Sequence, residues 1–379
     1  MKKVLLTATV QSHIAQFHKP LINMLKENGY EVHVAARDNL AEKNGLKLDE
    51  PDKIFDIPFD RSPLSRNNII AYQELKKILS ENKYNIVHCN TPMGGVVTRL
   101  AAKKYRKKGM KVFYTAHGFH FYKGAPKKNW IIYYPIEKFL SRYTDKLITI
   151  TKEDFKLAKD KFRTDVVHIH GVGVNTEKFF PYKEDEILRL RNEFGYGQND
   201  FVLICVGELN KNKNQSTVVK AISELANVTP NIKLLLAGNG PMEHELRSLV
   251  NQLNISDKII FLGYTTELQK YINISDALIT ASYREGLPLN VMEAMLCSKP
   301  IIASYNRGHI ELVKQNVNGF LYKANEITKL KEIISQLYSN LKLRNQFGKN
   351  GHEIINSYTY ESVIKELKEI YNLDYLKME

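Results

Sequence analysis

Short apolar runs alternate with segments of helical periodicity along the whole chain. The runs end in turns and lead into helical stretches, which is typical of parallel βαβ units. Because such crossovers are right-handed, the pattern predicts a doubly wound sheet in each half. The predicted strands lie in VLLTATV (4–10), EVHVAA (31–36), NIVHCN (85–90), KVFYTAHG (111–118), KLITIT (146–151), FVLICVGE (201–208), IKLLLAGNG (232–240), KIIFLGY (258–264), DALITAS (276–282) and KPIIASY (299–305).

A polar segment, VNTEKFFPYKEDE (174–186), is the predicted linker between the halves. We therefore predict an α/β protein with two Rossmann-like domains that face a central cleft. The N-terminal domain is expected over residues 1–175 and the C-terminal domain over residues 181–361. Ligands of doubly wound sheets bind beyond the carboxyl ends of the strands, so the residues directly after each strand are the candidates for chemistry.

Length and composition agree with this prediction. A chain of 379 residues, 43% of them apolar, can bury two cores of ordinary domain size. Its three cysteines have no metal-ligand spacing, which favours a reducing compartment and predicts no metal site. We find no apolar run long enough for a signal peptide or a membrane span, and we expect a cytoplasmic protein.

The charge is distributed unevenly along the chain. Residues 1–180 carry a net charge of +14, whereas residues 181–379 carry none. This asymmetry predicts that the N-terminal domain meets an acidic partner, namely phosphate, nucleic acid or an anionic membrane. Solubility charge that happens to cluster is the alternative.

The most specific segment is SYREGLPLNVMEAM (282–295), which follows a predicted strand. Pro288 suits the first turn of a helix, where its missing N–H is not needed. The free backbone N–H groups near Gly286, Leu287 and Leu289 would then form an anion site suited to a diphosphate.

Two glutamates of this segment are candidates for sugar binding. Glu285 stands before the predicted helix, and Glu293 lies roughly 8 Å along it. Carboxylates so far apart cannot share one proton, but they can bind hydroxyls at opposite ends of a nucleotide sugar. The alternative is that both are solvated surface residues.

The spacing E-x7-E, with GLP after the first glutamate and EAM at the second, resembles the signature of retaining GT-B glycosyltransferases of family 4. Further segments in family order are YTAHGFHFYKGAP (114–126), HGVGVN (170–175), VGELNKNKN (206–214), LLLAGNGP (234–241), SDALITAS (275–282) and NGFLY (318–322). The resemblance covers nearly the whole chain and is strongest to the capsule and exopolysaccharide branch. It implies a GT-B fold and retaining sugar transfer from a nucleotide-diphosphate donor, which we expect to be UDP-linked, with no metal or cofactor.

The same resemblance implies roles for single residues. Glu293 would accept the ribose hydroxyls, and Glu285 would hold the transferred sugar. Lys213 would offset the charge that develops on the leaving diphosphate. His117 would position the donor sugar, and a satisfied core histidine is the alternative. Further donor contacts are assigned to Gly286, Leu287, Leu289 and Gly240.

Two positions depart from the family pattern. Glu208 stands where many relatives have an arginine that pairs with the diphosphate, and Lys211 or Arg284 is the expected compensation. The first loop, TVQSHIAQF (9–17), lacks the glycine pair that many relatives place against the donor phosphate. Its candidate donor or acceptor contacts are Gln11, Ser12 and His13.

The C-terminal segment VIKELKEIYNLDYL (363–376) is amphipathic. As in the family, a helix over residues 362–379 is expected to pack back on the N-terminal domain.

A basic and aromatic stretch, KGAPKKNWIIYYPIEKFLSR (123–142), concentrates part of the positive charge. Such a composition suits an element that lies on an anionic membrane leaflet. The predicted membrane contacts are Lys127, Lys128, Trp130 and Lys138. We therefore expect peripheral binding at the inner face of the cell membrane and a lipid-diphosphate-linked saccharide, or another saccharide, as acceptor. A core-facing aromatic stripe with solvated lysines is the alternative.

Three other functions remain as alternatives. A GT-B sugar-nucleotide epimerase or phosphorylase would share the fold, although the E-x7-E segment argues against both. A basic nucleic-acid-binding protein would explain the charge, but the chain has no recognisable RNA- or DNA-binding motif, and we expect no nucleic acid as partner. An inactive scaffolding subunit is indicated only by Glu208.

Overall fold

The structure is a computed structural model that describes residues 2–43 and 45–373. The chain forms two compact units. Unit 1 comprises the described residues up to Gly173 together with those from Tyr360 onward, and unit 2 comprises Val174–Thr359. The last six residues of the expected C-terminal helix, 374–379, lie outside the described residues.

Unit 1 is built on a parallel sheet whose strands are β1 (Lys2–Val10), β2 (Tyr30–Arg37), β3 (Lys53–Asp56), β4 (Ile86–Asn90), β5 (Lys111–Ala116), β6 (Lys146–Thr149) and β7 (Asp165–His168). Their order in the sheet is β3-β2-β1-β4-β5-β6-β7. In this register Val4 of β1 lies opposite Val32 of β2 and Ile86 of β4. The helices are α1 (Gln11–Phe17), α2 (Lys19–Glu27), α3 (Asn67–Glu81), α4 (Pro92–Arg106), α5 (Lys127–Leu140) and α6 (Lys152–Lys161).

Unit 2 has a second parallel sheet, formed by β8 (Phe201–Val206), β9 (Ile232–Ala237), β10 (Ile259–Gly263), β11 (Ala277–Thr280), β12 (Ile301–Ser304) and β13 (Gly319–Tyr322). The order is β10-β9-β8-β11-β12-β13. Its helices are α7 (Glu184–Glu193), α8 (Gln215–Leu225), α9 (Glu243–Gln252), α10 (Leu268–Ile274), α11 (Leu289–Leu296), α12 (Arg307–Leu312), α13 (Ile327–Ser339) and α14 (Leu341–Ile355).

The central strands are buried on both faces because helices cover both sides of each sheet. In β8, Leu203 packs in one hydrophobic cluster, whereas its neighbours Val202 and Ile204 pack in another. Successive side chains of a strand point to opposite faces, so the two clusters are the two layers of a doubly wound unit. This explains why the strands read as continuous apolar runs, and the predicted pair of doubly wound sheets is confirmed.

The final helix of the chain, α15 (Tyr360–Tyr371), belongs to unit 1. The Tyr371 hydroxyl lies 2.6 Å from Nδ1 of the buried His88, and the backbone N–H of His170 donates to the Glu366 carboxylate at 2.9 Å. These contacts tie the end of the described chain to the sheet of unit 1.

Three strands were not predicted from the sequence. Two of them, β3 and β7, are the edge strands of the first sheet, and β13 is an edge strand of the second. The side chains of β3 and β7 are at most partly buried. Edge strands contact fewer neighbours, so β3 and β7 need fewer apolar residues and leave a weaker pattern, whereas β13 is mostly buried but only four residues long.

The predicted linker is only partly extended chain. Val174 and Phe179 are buried in a core cluster of unit 2, and α7 begins at Glu184. In the described part of the chain, none of the helices has both the length and the apolar character that crossing a membrane requires.

Each sheet has one point at which the strand order reverses. In unit 1 it lies between β1 and β4, and in unit 2 between β8 and β11. Loops on either side of such a switch point diverge and leave a crevice at the carboxyl ends of the strands. Functional side chains are therefore expected at the two switch points.

Candidate functional site

The switch point of unit 2 brings together two predicted site residues that are far apart in sequence. Nζ of Lys213, in the loop after β8, lies 2.7 Å from Oε1 of Glu285, in the loop after β11. The two side chains are 21% and 14% exposed, so water screens the pair only in part. The backbone N–H of Tyr283 also donates to the Asn212 carbonyl at 2.8 Å, which holds the two loops against each other.

A glycine allows the lysine to reach this position. Gly207 has a φ of +145°, and a Cβ there would lie 3.0 Å from Cε of Lys213. The stem of Lys213 therefore runs directly over the Gly207 backbone. The Lys213 backbone N–H donates to the Asn210 side chain at 2.9 Å, which fixes the turn that carries it.

The loop after β12 supports Glu285 from the other side. A Cβ at Gly308 would lie 2.5 Å from the Gly286 carbonyl oxygen and 2.8 Å from Cβ of Glu285. Asn306 caps α12, and its Nδ2 donates to the Ser282 carbonyl at 2.9 Å. The segment that carries Glu285 and Gly286 is thus clamped between the β8 and β12 loops.

His309, in the first turn of α12, was missed in the sequence. Its Nδ1 lies 2.7 Å from the Ser304 carbonyl oxygen and 2.9 Å from Nδ2 of Asn306. Nε2 is buried without a hydrogen-bond partner among the described residues. Burial lowers the His309 pKa to about 4, although the nearby Glu285 opposes this. The sequence NRGH follows a predicted strand, and that position could have indicated it.

Glu293 lies on α11, about one turn beyond the start of the helix, and is partly buried. Its carboxylate makes no hydrogen bond or ion pair with the described residues. Burial raises its pKa to about 7, while the positive charge of Lys178 acts in the opposite direction. The carboxylate of Glu293 is therefore partly dehydrated and has a perturbed pKa, which is typical of a binding site.

The segment between the two glutamates departs slightly from the prediction. Pro288 is not inside the first turn but is the N-cap of α11, which begins at Leu289. Side chains of Leu287 and Leu289 pack against the core of unit 2. The backbone N–H groups of Gly286 and Leu287 donate to no acceptor in the described residues, so they are available to an anion.

The remaining donor candidates lie in the loops after β8 and β9. A Cβ at Gly240 would lie 2.4 Å from the Leu209 carbonyl oxygen, so these loops pack backbone to backbone. Glu208 is exposed and accepts a hydrogen bond from Asn210 Nδ2 at 2.8 Å. Lys211 and Arg284 are exposed too, and within the described residues neither forms an ion pair with Glu208.

The switch point of unit 1 differs from its prediction in the segment after β1. This segment is the helix α1 rather than a loop. Gln11 is buried, and its Nε2 donates to the Ala36 carbonyl at 3.4 Å, so it is turned away from a ligand. Ser12 is buried as well and is bonded to Asn39 through both its backbone N–H and its hydroxyl.

Three histidines meet at this switch point. Nε2 of His13 lies 3.3 Å from Nε2 of His117, and the His18 ring is within 5.4 Å of both rings. Burial lowers the pKa of all three, that of His117 to about 4, so the imidazoles are neutral near pH 7. One nitrogen from each lies within 4.8 Å of the others, close enough for a metal ion. His18 had no assigned role in the sequence analysis, because only the fold places it beside the other two.

A cavity of about 460 Å³ opens beside His13. Polar side chains in its lining include Ser12, Thr91 and Glu137, and basic ones are Lys43 and Arg61. Much of the remaining lining is apolar or aromatic. Such a mixture of apolar walls and a few polar groups is typical of small-molecule sites.

The predicted membrane stretch forms α5, and one of its four predicted contacts is turned inward. Trp130 packs against the aromatic cluster of unit 1, and its indole N–H donates to the Tyr122 carbonyl at 3.2 Å. Lys127, Lys128 and Lys138 are exposed. The exposed apolar face of α5 consists instead of Ile131, Ile132, Ile136 and Phe139.

Comparisons with known proteins point to one family. The profile described as "Glycosyl transferases group 1" matches residues 187–354, and the profile described as "Glycosyl transferase 4-like" matches residues 3–151. A Bacillus subtilis (strain 168) protein named "Putative glycosyltransferase EpsD" is 42% identical over 373 residues, covering 98% of this chain and 96% of that protein. An Escherichia coli UDP-Gal:alpha-D-GlcNAc-diphosphoundecaprenol alpha-1,3-galactosyltransferase is 28% identical over 86% of this chain and 84% of its own length.

Solved structures share the fold. The crystal structure of Anabaena HepE in complex with UDP has a TM-score of 0.77 at 20% identity and covers 98% of this chain and 100% of that one. Sucrose-phosphate synthase from Thermosynechococcus elongatus has a TM-score of 0.79 at 17% identity, with full coverage of both chains.

Proposed function

This chain belongs to the group 1 glycosyltransferases and has the GT-B fold, and from that premise we propose that it transfers a sugar from a UDP-linked donor to a saccharide carried on a lipid diphosphate, with retention of the anomeric configuration. The observation that carries the proposal is the contact between Lys213 and Glu285 at the switch point of unit 2. A role in exopolysaccharide assembly is part of the proposal and is supported by the similarity to EpsD.

The donor site is proposed to extend from Glu285 to Glu293. The diphosphate would bind to the free N–H groups of Gly286 and Leu287 and to the Lys213 ammonium. Glu293 would accept both ribose hydroxyls, which provide the partners that its carboxylate lacks. Solved complexes of Anabaena HepE with UDP and with UDP-glucose support a UDP-linked donor for this fold.

Transfer would begin with an exchange of partners. Lys213 contacts Glu285, so a bound diphosphate would compete for the ammonium, and Glu285 would then be released to bind hydroxyls of the transferred sugar. As the bond from the anomeric carbon to the diphosphate breaks, negative charge develops on the leaving oxygens, and Lys213 offsets it. The leaving phosphate then accepts the proton of the attacking acceptor hydroxyl on the same face, which retains the configuration.

His117 is proposed to position the donor sugar, not to act as a general base. Its low pKa keeps it neutral, and His13 and the Asn90 side chain lie 3.3 Å from its Nε2. A neutral imidazole held in this way can donate or accept one hydrogen bond without adding a charge.

The acceptor is proposed to reach the enzyme at an anionic membrane. The exposed isoleucines of α5, with Lys127, Lys128 and Lys138 around them, suit an interfacial helix. Each basic side chain near such a surface contributes about 1 kcal/mol of attraction. The similarity to the E. coli enzyme, whose name specifies a diphosphoundecaprenol acceptor, supports a lipid-linked substrate.

A donor and acceptor screen tests the function. Purified protein is incubated with a panel of UDP-sugars and a prenyl-diphosphate-linked monosaccharide, and the product is detected by mass spectrometry. We expect one donor to react, NMR to show retention, and activity to survive EDTA. Conversion of the donor without acceptor would indicate an epimerase instead. Loss of activity with EDTA that a divalent ion restores would refute metal-independence.

Vesicle binding tests the membrane part separately. The variant with Lys127, Lys128 and Lys138 all replaced by Glu should bind anionic vesicles less well and lose activity on lipid acceptor, while activity on a short soluble acceptor survives. Binding of wild type should weaken as salt increases. If the variant binds these vesicles as well as wild type does, α5 is not the membrane contact.

A further inference from the structure

The cavity of unit 1 has a lining with an unbalanced positive charge. Lys43 and Arg61 both line it, and Arg61 is close enough to His13 to lower the pKa of that imidazole. Among the described residues, Glu137 is the one carboxylate of the lining. Arg99 neutralises Glu137 through a 2.8 Å contact. The lining therefore has two cations that form no ion pair with any described residue, and it attracts an anion.

The histidines beside the cavity also favour a negatively charged ligand. His18, 5% exposed, has an unpartnered Nε2 within the described chain, and it lies next to His13 and His117. Three neutral imidazoles could instead bind a divalent metal ion. The adjacent Arg61 and the basic excess of the N-terminal half oppose a second positive ion, whereas both stabilise a phosphate.

The rest of the lining is apolar and continues to the surface. Phe17, Met93 and Val96 line the cavity together with Ile132 and Ile136 of α5. These two isoleucines are also 51% and 41% exposed, so they belong to both the cavity wall and the outer face of α5. A ligand that matches this lining has an anionic head and a hydrocarbon chain that leaves along α5.

We propose that this cavity binds the diphosphate and the first isoprene units of a polyprenyl-diphosphate acceptor. Arg61, Lys43 and His13 would bind the diphosphate, and Ile132 and Ile136 would line the path of the chain toward the membrane. The assignment rests on the proposed function and adds the acceptor subsite to it. A diphosphate could also come from the donor nucleotide, so the test includes both sources.

Calorimetric titration without a second substrate tests the subsite. Farnesyl diphosphate, below its micellar concentration, UDP and inorganic pyrophosphate are each titrated into the full chain. Arg61→Gln should lower the affinity for farnesyl diphosphate about tenfold or more, because it removes a charged hydrogen-bond donor. The affinity for UDP should be unchanged. Arg61 is exposed, so this variant is expected to fold.

The wall is tested with two neighbouring substitutions on α5. Ile132→Asn should lower the affinity for farnesyl diphosphate severalfold but leave the affinity for pyrophosphate unchanged. Ile131→Asn, at a residue that is 74% exposed and outside the lining, is the matched control and should change neither. Arg66→Gln is the corresponding control for charge, since Arg66 is exposed and outside the lining.

Each contrary result has a definite meaning. If Arg61→Gln weakens UDP as much as farnesyl diphosphate, the cavity serves the donor. If pyrophosphate binds as tightly as farnesyl diphosphate, the apolar wall binds no lipid. Stoichiometric Zn²⁺ binding that His18→Phe abolishes, with no farnesyl diphosphate binding, would make the cluster a metal site. All three overturn the proposal.

Failure of the subsite is distinguishable from failure of the function. An enzyme that transfers sugar to the lipid acceptor equally well in wild type, Arg61→Gln and Ile132→Asn would refute the subsite alone. A protein that binds farnesyl diphosphate as expected but transfers no sugar would refute the transferase assignment and leave the cavity assigned.

Discussion

The two switch points have the same topology but opposite chemistry. In unit 2, the loops after β8 and β11 bring Lys213 and Glu285 into an ion pair, and Glu293 holds a carboxylate of raised pKa nearby. In unit 1, the residues after β1 and β5 bring together histidines that burial keeps neutral. The basic excess of the sequence lies in the unit whose switch point has uncharged imidazoles. A shared sheet topology therefore places a site in each unit, while the residues after the strands decide whether ionised or neutral side chains meet there.

The largest effect is expected from removing the positive charge of Lys213 in unit 2. Lys213→Ala should reduce kcat by about 10²–10³, because the leaving diphosphate loses a preorganised cation. Lys220→Ala, at an exposed lysine of α8 that has no ion pair in the described residues, is the control and should change kcat less than twofold. Steady-state rates with saturating donor measure both. Similar rates for the two variants would show that the ion pair is not the reacting site.

The two glutamates of unit 2 should separate binding from transfer. Glu293→Ala should lower the affinity for UDP about tenfold or more, since the ribose hydroxyls lose their acceptor. Glu285→Ala should mainly slow sugar transfer and leave UDP affinity close to that of wild type. Calorimetry with UDP and steady-state rates distinguish them. Equal losses of UDP affinity in both variants would contradict the assignment of the two ends of the donor.

A smaller effect is expected on stability. Burial raises the Glu293 pKa to about 7, so the folded protein binds this proton more tightly than the unfolded chain, whose glutamates titrate near 4.3. The stability from this group is present below pH 4.3 and is lost as pH rises through 7. Glu293→Gln should therefore raise the melting temperature at pH 8 by about 2–4 °C, for a unit of this size, and by less at pH 5. An equal shift at both pH values would mean that ionisation of Glu293 is not the cause.

Much of the fold follows from the sequence alone, because central strands covered by helices on both faces need continuous apolar runs. The edge strands β3 and β7 escaped prediction since their side chains are mostly solvated. The orientation of α5 escaped as well. Trp130 and Ile131 are both apolar, and only the packed structure shows that Trp130 lies inward and Ile131 outward.

The parts of the candidate site that lie within one sequence motif could be predicted. The parts that the fold brings together from distant positions could not. The segment with Glu285 and Glu293 was identified by its resemblance to the family signature, E-x7-E with GLP and EAM. His309 and His18 were missed because their importance depends on neighbours that are distant in sequence, namely Glu285 for the first and His117 for the second. The contact between Lys213 and Glu285 likewise follows from the adjacency of β8 and β11, which the order of strands along the chain does not reveal.

The account of the donor site rests on the contact between Lys213 and Glu285, and it requires that the carboxylate of Glu293, whose pKa burial raises to about 7, binds the donor ribose. At pH 7 such a group is half protonated, and hydrogen bonds from two hydroxyls favour its ionised form. UDP titrations in two buffers of different ionisation enthalpy give the number of protons released. We expect wild type to release about 0.5 proton more per UDP than Glu293→Gln, and its affinity to fall as pH decreases from 8 to 6. Equal proton release by the two proteins would contradict the account.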